Sequence, residues 1–200
     1  MFIISIWLAG YLSRGYSHIH QSISELGTRN TPHSWLVRGA GFIPLGLSFV
    51  LFALQTRDLF SSHYPSAIVF LTGLSTVMAG IFATDPHNRR DTLSSKVHAG
   101  SVIALLCLLT LAPFIFSISA LYRTPPDGWF FVFSCSLGIF AVGFFGMLPS
   151  GCRRWLVALH QKLMGRFISS WYPLQGLHQR IFLSLHCIWW FVFSQVLIDA

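Results

Sequence analysis

Long apolar runs separated by short polar segments dominate the pattern along this chain. A helix needs roughly 20 mostly apolar residues to cross a hydrocarbon core about 30 Å thick. Five runs reach or approach that length: 36–54, 67–84, 97–121, 129–148 and 181–198. A sixth, Phe2–Leu12, has about half of the required length, and we interpret it as a short first span that lengthens if the helix continues through Tyr16 toward Ser24.

The pattern therefore predicts an all-α, polytopic membrane helix bundle with about six transmembrane helices, the first of them short. Residues 1–200 are expected to form one integral-membrane domain. Of these residues, 54% are hydrophobic and 10% charged, and the mean hydropathy is +0.63. A soluble domain has roughly 25% charged residues. The composition thus excludes a soluble enzyme, a disordered tail and a nucleic-acid-binding module, although the formal net charge is +7.

The positive charges are concentrated in loops one, three and five between the predicted spans. Loops two and four hold one arginine each, Arg57 and Arg123. The positive-inside rule therefore places the three basic loops in the cytoplasm, with both termini outside. Eight of the nine histidines lie on the same side as those loops. Any chemistry of the protein is expected at this membrane face.

Residues 152–168, in loop five, combine helical apolar spacing with basic side chains. Apolar residues recur every three or four positions, and basic residues fill much of the remainder: Arg153, Arg154, Lys162 and Arg166. This pattern predicts a basic amphipathic helix in the interface, where these four side chains contact anionic lipid headgroups. A helix packed against the ends of the bundle explains the same pattern equally well.

Two polar segments hold the residues best suited to chemistry. The first, 16–33, contains Ser24 and Glu25, and such polarity is costly in hydrocarbon unless it faces the bundle interior or a wet cavity. The second joins the third and fourth spans. There Asp85 precedes a proline, which disfavours helix at the residue before it, and His98 opens the fourth span. Asp85 and His98 are thus expected at the mouth of two adjacent helices.

One hypothesis for these residues is an intramembrane metal-dependent hydrolase or transferase acting on lipid. Asp85, His87 and His98 offer one carboxylate and two imidazoles, a common ligand set for a catalytic zinc with an open position. Glu25 then acts as general base or fourth ligand, and Ser24 orients substrate or water. The spacing of the three ligands matches no recognised metal-binding motif.

A non-catalytic lipid-binding or scaffolding protein explains the same residues without a metal. In this hypothesis Glu25 and Asp85 pair with arginines that join the loops: Arg29, Arg89, Arg90 and Arg180. It requires the fewest assumptions, and it predicts membrane lipids as partners. A small transporter or a haem protein is a third alternative, although only His98 and His186 approach positions suited to haem ligands between helices.

Four short motifs resemble those of a prokaryotic membrane family. They are Tyr-Ser-x-x-x-Gln-x-Ile-Ser-Glu-Leu-Gly at 16–27, Thr-Asp-Pro at 84–86, Val-His-x-Gly at 97–100 and Gly-x-x-Gln-Arg-Ile at 176–181. They are similar to motifs of the uncharacterised family catalogued as domain of unknown function 998. The resemblance covers nearly the whole chain, implies an inner-membrane location and carries no established activity.

More distantly, the Ile-Ser-Glu-Leu-Gly run at 23–27 resembles the Ile-Ser-Asp-x-Gly signature of the eukaryotic Frag/DRAM/Sfk membrane proteins. Those six-span proteins are linked to lipid remodelling, so this resemblance implies a lipid-related role. They place the equivalent first loop on the non-cytoplasmic side, which is opposite to the orientation that the charge count predicts here.

Overall fold

Helices make up the regular structure in the computed structural model, which describes residues 1–58, 63–86, 92–121 and 175–198. No strand occurs within these ranges. In chain order the helices are α1 (Phe2–Leu12), α2 (Ile23–Leu26), a π-helix (Leu36–Phe42) that continues directly into α3 (Ile43–Thr56), α4 (Tyr64–Ile81), α5 (Leu93–Leu121) and α6 (Gln175–Ile198). The predicted all-α class is confirmed.

Three of the described helices are long and apolar enough to cross a membrane. They are Leu36–Thr56, Tyr64–Ile81 and Leu93–Phe116, so the structure is compatible with an integral membrane protein. The last predicted span is a helix of 24 residues, Gln175–Ile198. The predicted fifth span and the basic helix at 152–168, with its four headgroup-binding side chains, lie outside the described residues.

The first apolar run forms a helix of 11 residues and does not continue toward Ser24. Its end is followed by a turn at Gly15, whose φ of 77° lies in the left-handed region that favours glycine. Along α1, Phe2, Ile6 and Ala9 are buried against α2 and the π-helix. The short first helix is therefore held by packing against its neighbours, and the polar segment after it is loop.

The end of α4 differs from the prediction that the proline after Asp85 closes this span. The helix ends at Ile81, and Phe82 is already extended, with φ −87° and ψ 109°. The last carbonyl groups of a helix have no partner within it, and here Arg38 donates from Nε to the Gly80 oxygen (2.9 Å) and from Nη2 to the Ile81 oxygen (2.6 Å). A side chain from another helix thus caps α4 before the proline is reached.

The start of α5 also differs from the prediction, in which His98 opens the fourth span. The helix begins at Leu93. Thr92, the residue before it, accepts a hydrogen bond at Oγ1 from the Ser95 N–H (3.2 Å), as an N-cap residue does. His98 consequently lies in the second turn of α5, where its imidazole is inside the bundle instead of at the helix end.

Helices α3 and α4 cross in direct backbone contact. A Cβ atom at Gly46 would lie 2.7 Å from the Gly73 carbonyl oxygen, and one at Gly73 would lie 2.6 Å from the Gly46 oxygen and 2.8 Å from the Val50 nitrogen. All three neighbouring atoms belong to the backbone, so they cannot move aside as a flexible side chain does. The crossing therefore requires glycine on both helices.

Gly73→Ala is expected to destabilise the bundle, because its methyl group must push α3 and α4 apart. Overpacking of this kind costs about 1–3 kcal/mol. Gly100→Ala on α5 is the matched control, since nothing lies within 4 Å of a Cβ atom built there. Thermal unfolding in detergent, followed by tryptophan fluorescence, should give a lower midpoint for Gly73→Ala only. Equal midpoints for the two variants would contradict the close crossing.

Candidate functional site

Loop one, residues 13–35, lies on the first turns of α6. The Leu177 N–H donates to the Ile19 carbonyl (3.0 Å), and the Ile23 N–H donates to Gln179 Oε1 (2.9 Å). At Gly176 a Cβ atom would overlap the Gln21 carbonyl oxygen. The loop is thus fixed to the last helix by a main-chain bond and a bond to the Gln179 side chain, the latter joining residues 156 positions apart.

Arg180 stabilises the contact between loop one and α6. Its side chain is buried, with 8% of the residue exposed. Nη1 donates to the carbonyl oxygens of His18 (2.9 Å), Gln21 (3.4 Å) and Gly176 (2.8 Å), and Nη2 donates to the Tyr16 hydroxyl (2.7 Å). Within the described ranges Arg180 forms no ion pair with a carboxylate. Its two terminal nitrogens donate to main-chain carbonyls of loop one and α6 and to a tyrosine, instead of the acidic residues that the sequence suggested.

Tyr16 is the polar centre of loop one. Its hydroxyl accepts from Arg180 and lies 3.0 Å from the Gln21 carbonyl oxygen and 2.9 Å from that of Ser22, to which it donates. Burial raises the pKa of Tyr16, and the neighbouring Arg180 cation offsets part of that rise. The neutral phenol is therefore the form that holds the loop.

His18 packs on α1 from the same loop. Its ring stacks on Trp7 at 4.3 Å between centroids and meets Tyr16 edge-on at 5.3 Å. A Cβ atom at Gly10 would overlap the imidazole, so this glycine makes room for it. Burial, and secondarily the Arg180 cation, lower the pKa of His18. The neutral imidazole is thus the form that packs against Trp7 and Tyr16.

Glu25, one of the predicted catalytic residues, completes a capping box at the start of α2. Its Oε1 accepts from the Ser22 N–H (3.2 Å) and from the Ser22 hydroxyl (3.0 Å). In the part of the chain that the structure describes, Glu25 has no ion-pair partner. Its carboxylate therefore has a local structural role, and its assignment as a general base stays a prediction.

Asp85 joins loop one to the segment between α4 and α5. This buried carboxylate accepts from Thr92 Oγ1, and its Oδ1 lies 3.6 Å from Arg29 Nε. In addition, the Arg29 N–H donates to the Thr84 carbonyl (2.9 Å). The expected pairing of Asp85 with an arginine is present with Arg29. The other candidate partners, Arg89 and Arg90, lie outside the described residues.

His98 connects three elements through its two ring nitrogens. Nδ1 lies 2.9 Å from the Ala79 carbonyl oxygen and 2.8 Å from that of Phe82, at the end of α4. Nε2 lies 3.3 Å from Ser24 Oγ in α2. Carbonyl oxygens only accept hydrogen bonds, so Nδ1 carries a proton, and in the neutral imidazole Nε2 accepts from the serine hydroxyl.

The predicted zinc ligands are only partly within the described residues. Asp85 and His98 both lie at the end of the bundle that loop one covers, whereas His87 is outside. No group of three His, Cys, Asp or Glu side chains within the described ranges is arranged to hold a metal ion. Asp85 faces Arg29 and Thr92, and His98 faces main-chain carbonyls and Ser24. The zinc site stays a prediction.

An apolar cleft begins beside Ser24 and continues between the helices. Its cavity volume is about 60 Å³, and all the empty space between its walls, open solvent included, is about 710 Å³. It follows α6 from Gln179 to Trp190, which is about 16 Å at 1.5 Å per residue. Apolar side chains from α1, α3, α5 and α6 form most of its wall. Ser24 and Gln179 thus lie at one end of a mostly apolar cleft.

Gln179 and Tyr16 are site residues that the sequence analysis did not select. Both occur in the motifs that carry the family resemblance, but no local pattern indicates that Gln179 binds the main chain of residue 23. The capping box of Ser22 and Glu25 has a readable signature, a serine followed three residues later by a glutamate. That signature would have suggested the structural role of Glu25.

The model of a family described as "Protein of unknown function (DUF998)" matches residues 1–196. No curated protein and no solved structure matches the chain.

Arg180→Lys is expected to release loop one from α6, because a single ammonium group cannot replace a fork that binds four oxygen atoms. Each lost bond to a charged donor costs about 1.5–3 kcal/mol, so tryptic cleavage after the exposed Arg14 should accelerate at least about tenfold, which corresponds to about 1.4 kcal/mol. Arg57→Lys, at a side chain that is 65% exposed, is the control. Unchanged cleavage after Arg14 in Arg180→Lys would contradict the anchoring role.

Acidification is expected to loosen loop one through His18. Because the pKa of His18 is lowered in the fold, its contribution to stability is complete above about pH 6.5, the ordinary value, and is lost as the pH falls through the lower folded-state pKa. Tyr16 stays neutral over this range, because burial raises its pKa. The rate of amide hydrogen exchange in residues 16–22, corrected for intrinsic rates, should increase as the pH is lowered from 7.5 to 5.

His18→Gln is the matched variant for this measurement, because glutamine keeps a polar side chain that does not titrate. Its exchange in residues 16–22 should be independent of pH after the same correction. If the variant retained the pH dependence of the wild type, another group would be responsible and the assignment to His18 would be wrong.

Proposed function

Because the chain belongs to the DUF998 family, described as of unknown function, we propose a function from the geometry of the bundle: the protein binds a membrane lipid. An acyl chain of that lipid occupies the apolar cleft, and its ester or headgroup lies at the loop-one end. The observation that carries the proposal is the cleft itself, which is lined mostly by apolar side chains and has Ser24 and Gln179 at one end.

The wall of the cleft supports a hydrocarbon ligand. Side chains such as Phe49, Leu105, Leu109 and Phe182 form it, and its polar surface is small. The lining residues of α6 extend for about 16 Å along the helix axis, a length that suits one extended chain. Ligand sites of this type are mostly apolar with a few convergent polar groups.

The polar end of the cleft supports binding of a lipid ester or headgroup. Ser24 and Gln179 both line it. Since Gln179 Oε1 accepts from the Ile23 N–H, its amide NH₂ group is directed away from that bond, and it donates to no group in the described ranges. One donor, the amide of Gln179, is thus available to a carbonyl or phosphate oxygen, because the Ser24 hydroxyl donates to His98 Nε2.

The charge pattern supports a lipid surface as the wider partner. Arg14 and Arg29 in loop one are exposed, and cations at this depth attract anionic headgroups. The predicted contacts of Arg153, Arg154, Lys162 and Arg166 with headgroups belong to the same proposal. It also includes a multi-pass arrangement in a prokaryotic inner membrane, with loops one, three and five on the cytoplasmic side.

Leu106→Trp is expected to prevent lipid binding, because the larger side chain fills the cleft that Leu106 lines. Leu111→Trp on the same helix is the control, since Leu111 is 50% exposed and does not line the cleft. A lipid with a photoreactive group in its acyl chain should crosslink to the wild type and to Leu111→Trp. The yield in Leu106→Trp should fall about tenfold, equivalent to about 1.4 kcal/mol. Equal yields in the two variants would contradict binding in the cleft.

A further inference from the structure

We propose that Ser24 is a nucleophile that cleaves an acyl ester of the bound lipid, with His98 as its general base. The proposal rests on the proposed function, because the lipid in the cleft supplies the ester. It assigns Ser24 a covalent role that needs no metal ion.

The hydrogen bonds of His98 prepare its Nε2 to accept a proton. Two carbonyl oxygens, at 2.8 and 2.9 Å, hold the proton on Nδ1, which fixes both the tautomer and the orientation of the ring. The lone pair of Nε2 is then directed at Ser24 Oγ, 3.3 Å away. This distance is slightly longer than the 2.6–3.2 Å of an engaged pair, as is common before a substrate binds.

The surroundings of His98 restrict it to this geometry. The residue is only 4% exposed and belongs to α5, while its Nδ1 partners belong to the end of α4 and its Nε2 partner to α2. The carbonyl oxygens take the position that a carboxylate has in a serine–histidine–aspartate triad: they orient the ring, although they carry no full charge.

Ser24 faces the proposed substrate. It lines the cleft at its polar end, next to Gln179. The bond from the Ile23 N–H to Gln179 Oε1 leaves the amide NH₂ group of Gln179 as a donor at the same end. A donor in this place can stabilise negative charge on the carbonyl oxygen of an ester that Ser24 attacks. Nucleophile, base and oxyanion donor thus come from α2, α5 and α6.

The reaction proceeds in two balanced halves. Ser24 Oγ attacks the ester carbonyl carbon while its proton passes to His98 Nε2; the bond from that carbon to the alcohol oxygen then breaks, and the alcohol leaves with the proton from Nε2. Water from the loop-one end next attacks the acyl-serine, giving one proton to Nε2. The serine oxygen takes that proton back as the fatty acid leaves.

The competing explanation is that the Ser24–His98 bond only tethers α2 to α5. A tether leaves the serine as unreactive as any other, so reactivity separates the two explanations. The test uses the full chain in detergent with a fluorophosphonate probe, in which Ser24 Oγ displaces fluoride at phosphorus and HF is released. Mass spectrometry of the digested protein locates the modified residue.

The wild type is expected to be labelled at Ser24, at a rate that depends on pH through a single titrating group. In His98→Gln the side chain stays polar but cannot act as a base, so labelling should slow by roughly 10²-fold or more and lose its pH dependence. Ser48→Ala, which removes an exposed hydroxyl on α3, should leave the labelling of Ser24 unchanged.

The outcomes separate this proposal from lipid binding. Absence of label at Ser24 in a wild type that still crosslinks the photoreactive lipid would overturn the nucleophile and leave the lipid site intact. Label at Ser24 without any lipid crosslinking would overturn the lipid ester as substrate. The wild-type measurement needs no variant, so it decides the question even if His98→Gln does not fold.

Discussion

The buried guanidinium of Arg180 is the interaction on which the rest of the site depends. A cation inside a bundle is costly unless hydrogen bonds satisfy its donors. Arg180 obtains four acceptors, three of them main-chain carbonyls and the fourth the Tyr16 hydroxyl. Those acceptors exist together only when loop one is folded over the first turns of α6. The need of the Arg180 side chain for hydrogen-bond acceptors thus fixes loop one, and with it Ser24, at the end of the cleft.

A second constraint comes from the end of α4, whose last carbonyl groups need donors from elsewhere. Arg38 and His98 supply them from two different helices. For His98 these hydrogen bonds have a chemical consequence, because a neutral imidazole that donates from Nδ1 has an acceptor at Nε2. The same bonds that end α4 therefore prepare the imidazole that faces Ser24.

Much of the fold could be predicted from the sequence, since long apolar runs form helices in a membrane whatever their partners. The end of α4 could not, because Arg38 and His98 come from other helices to cap it. The Asp85–Arg29 pair was accessible because opposite charges are few here. The acceptors of Arg180 could not be predicted, because every residue has a carbonyl oxygen and only the folded chain determines which of them Arg180 contacts. Gln179 was missed for the same reason.

The π-helix at Leu36–Phe42 has a consequence for the chemistry of the cleft. Along a regular α-helix Arg38 would lie on the same face as Phe42, Leu45 and Phe49, which line the cleft. In the π-helix each N–H bonds five residues back, as Ile43 does to Arg38, so fewer degrees of rotation separate successive residues. Arg38 is turned out of that face toward the end of α4. One wide helical turn thereby keeps a guanidinium group out of the mostly apolar cleft without changing the composition of the helix.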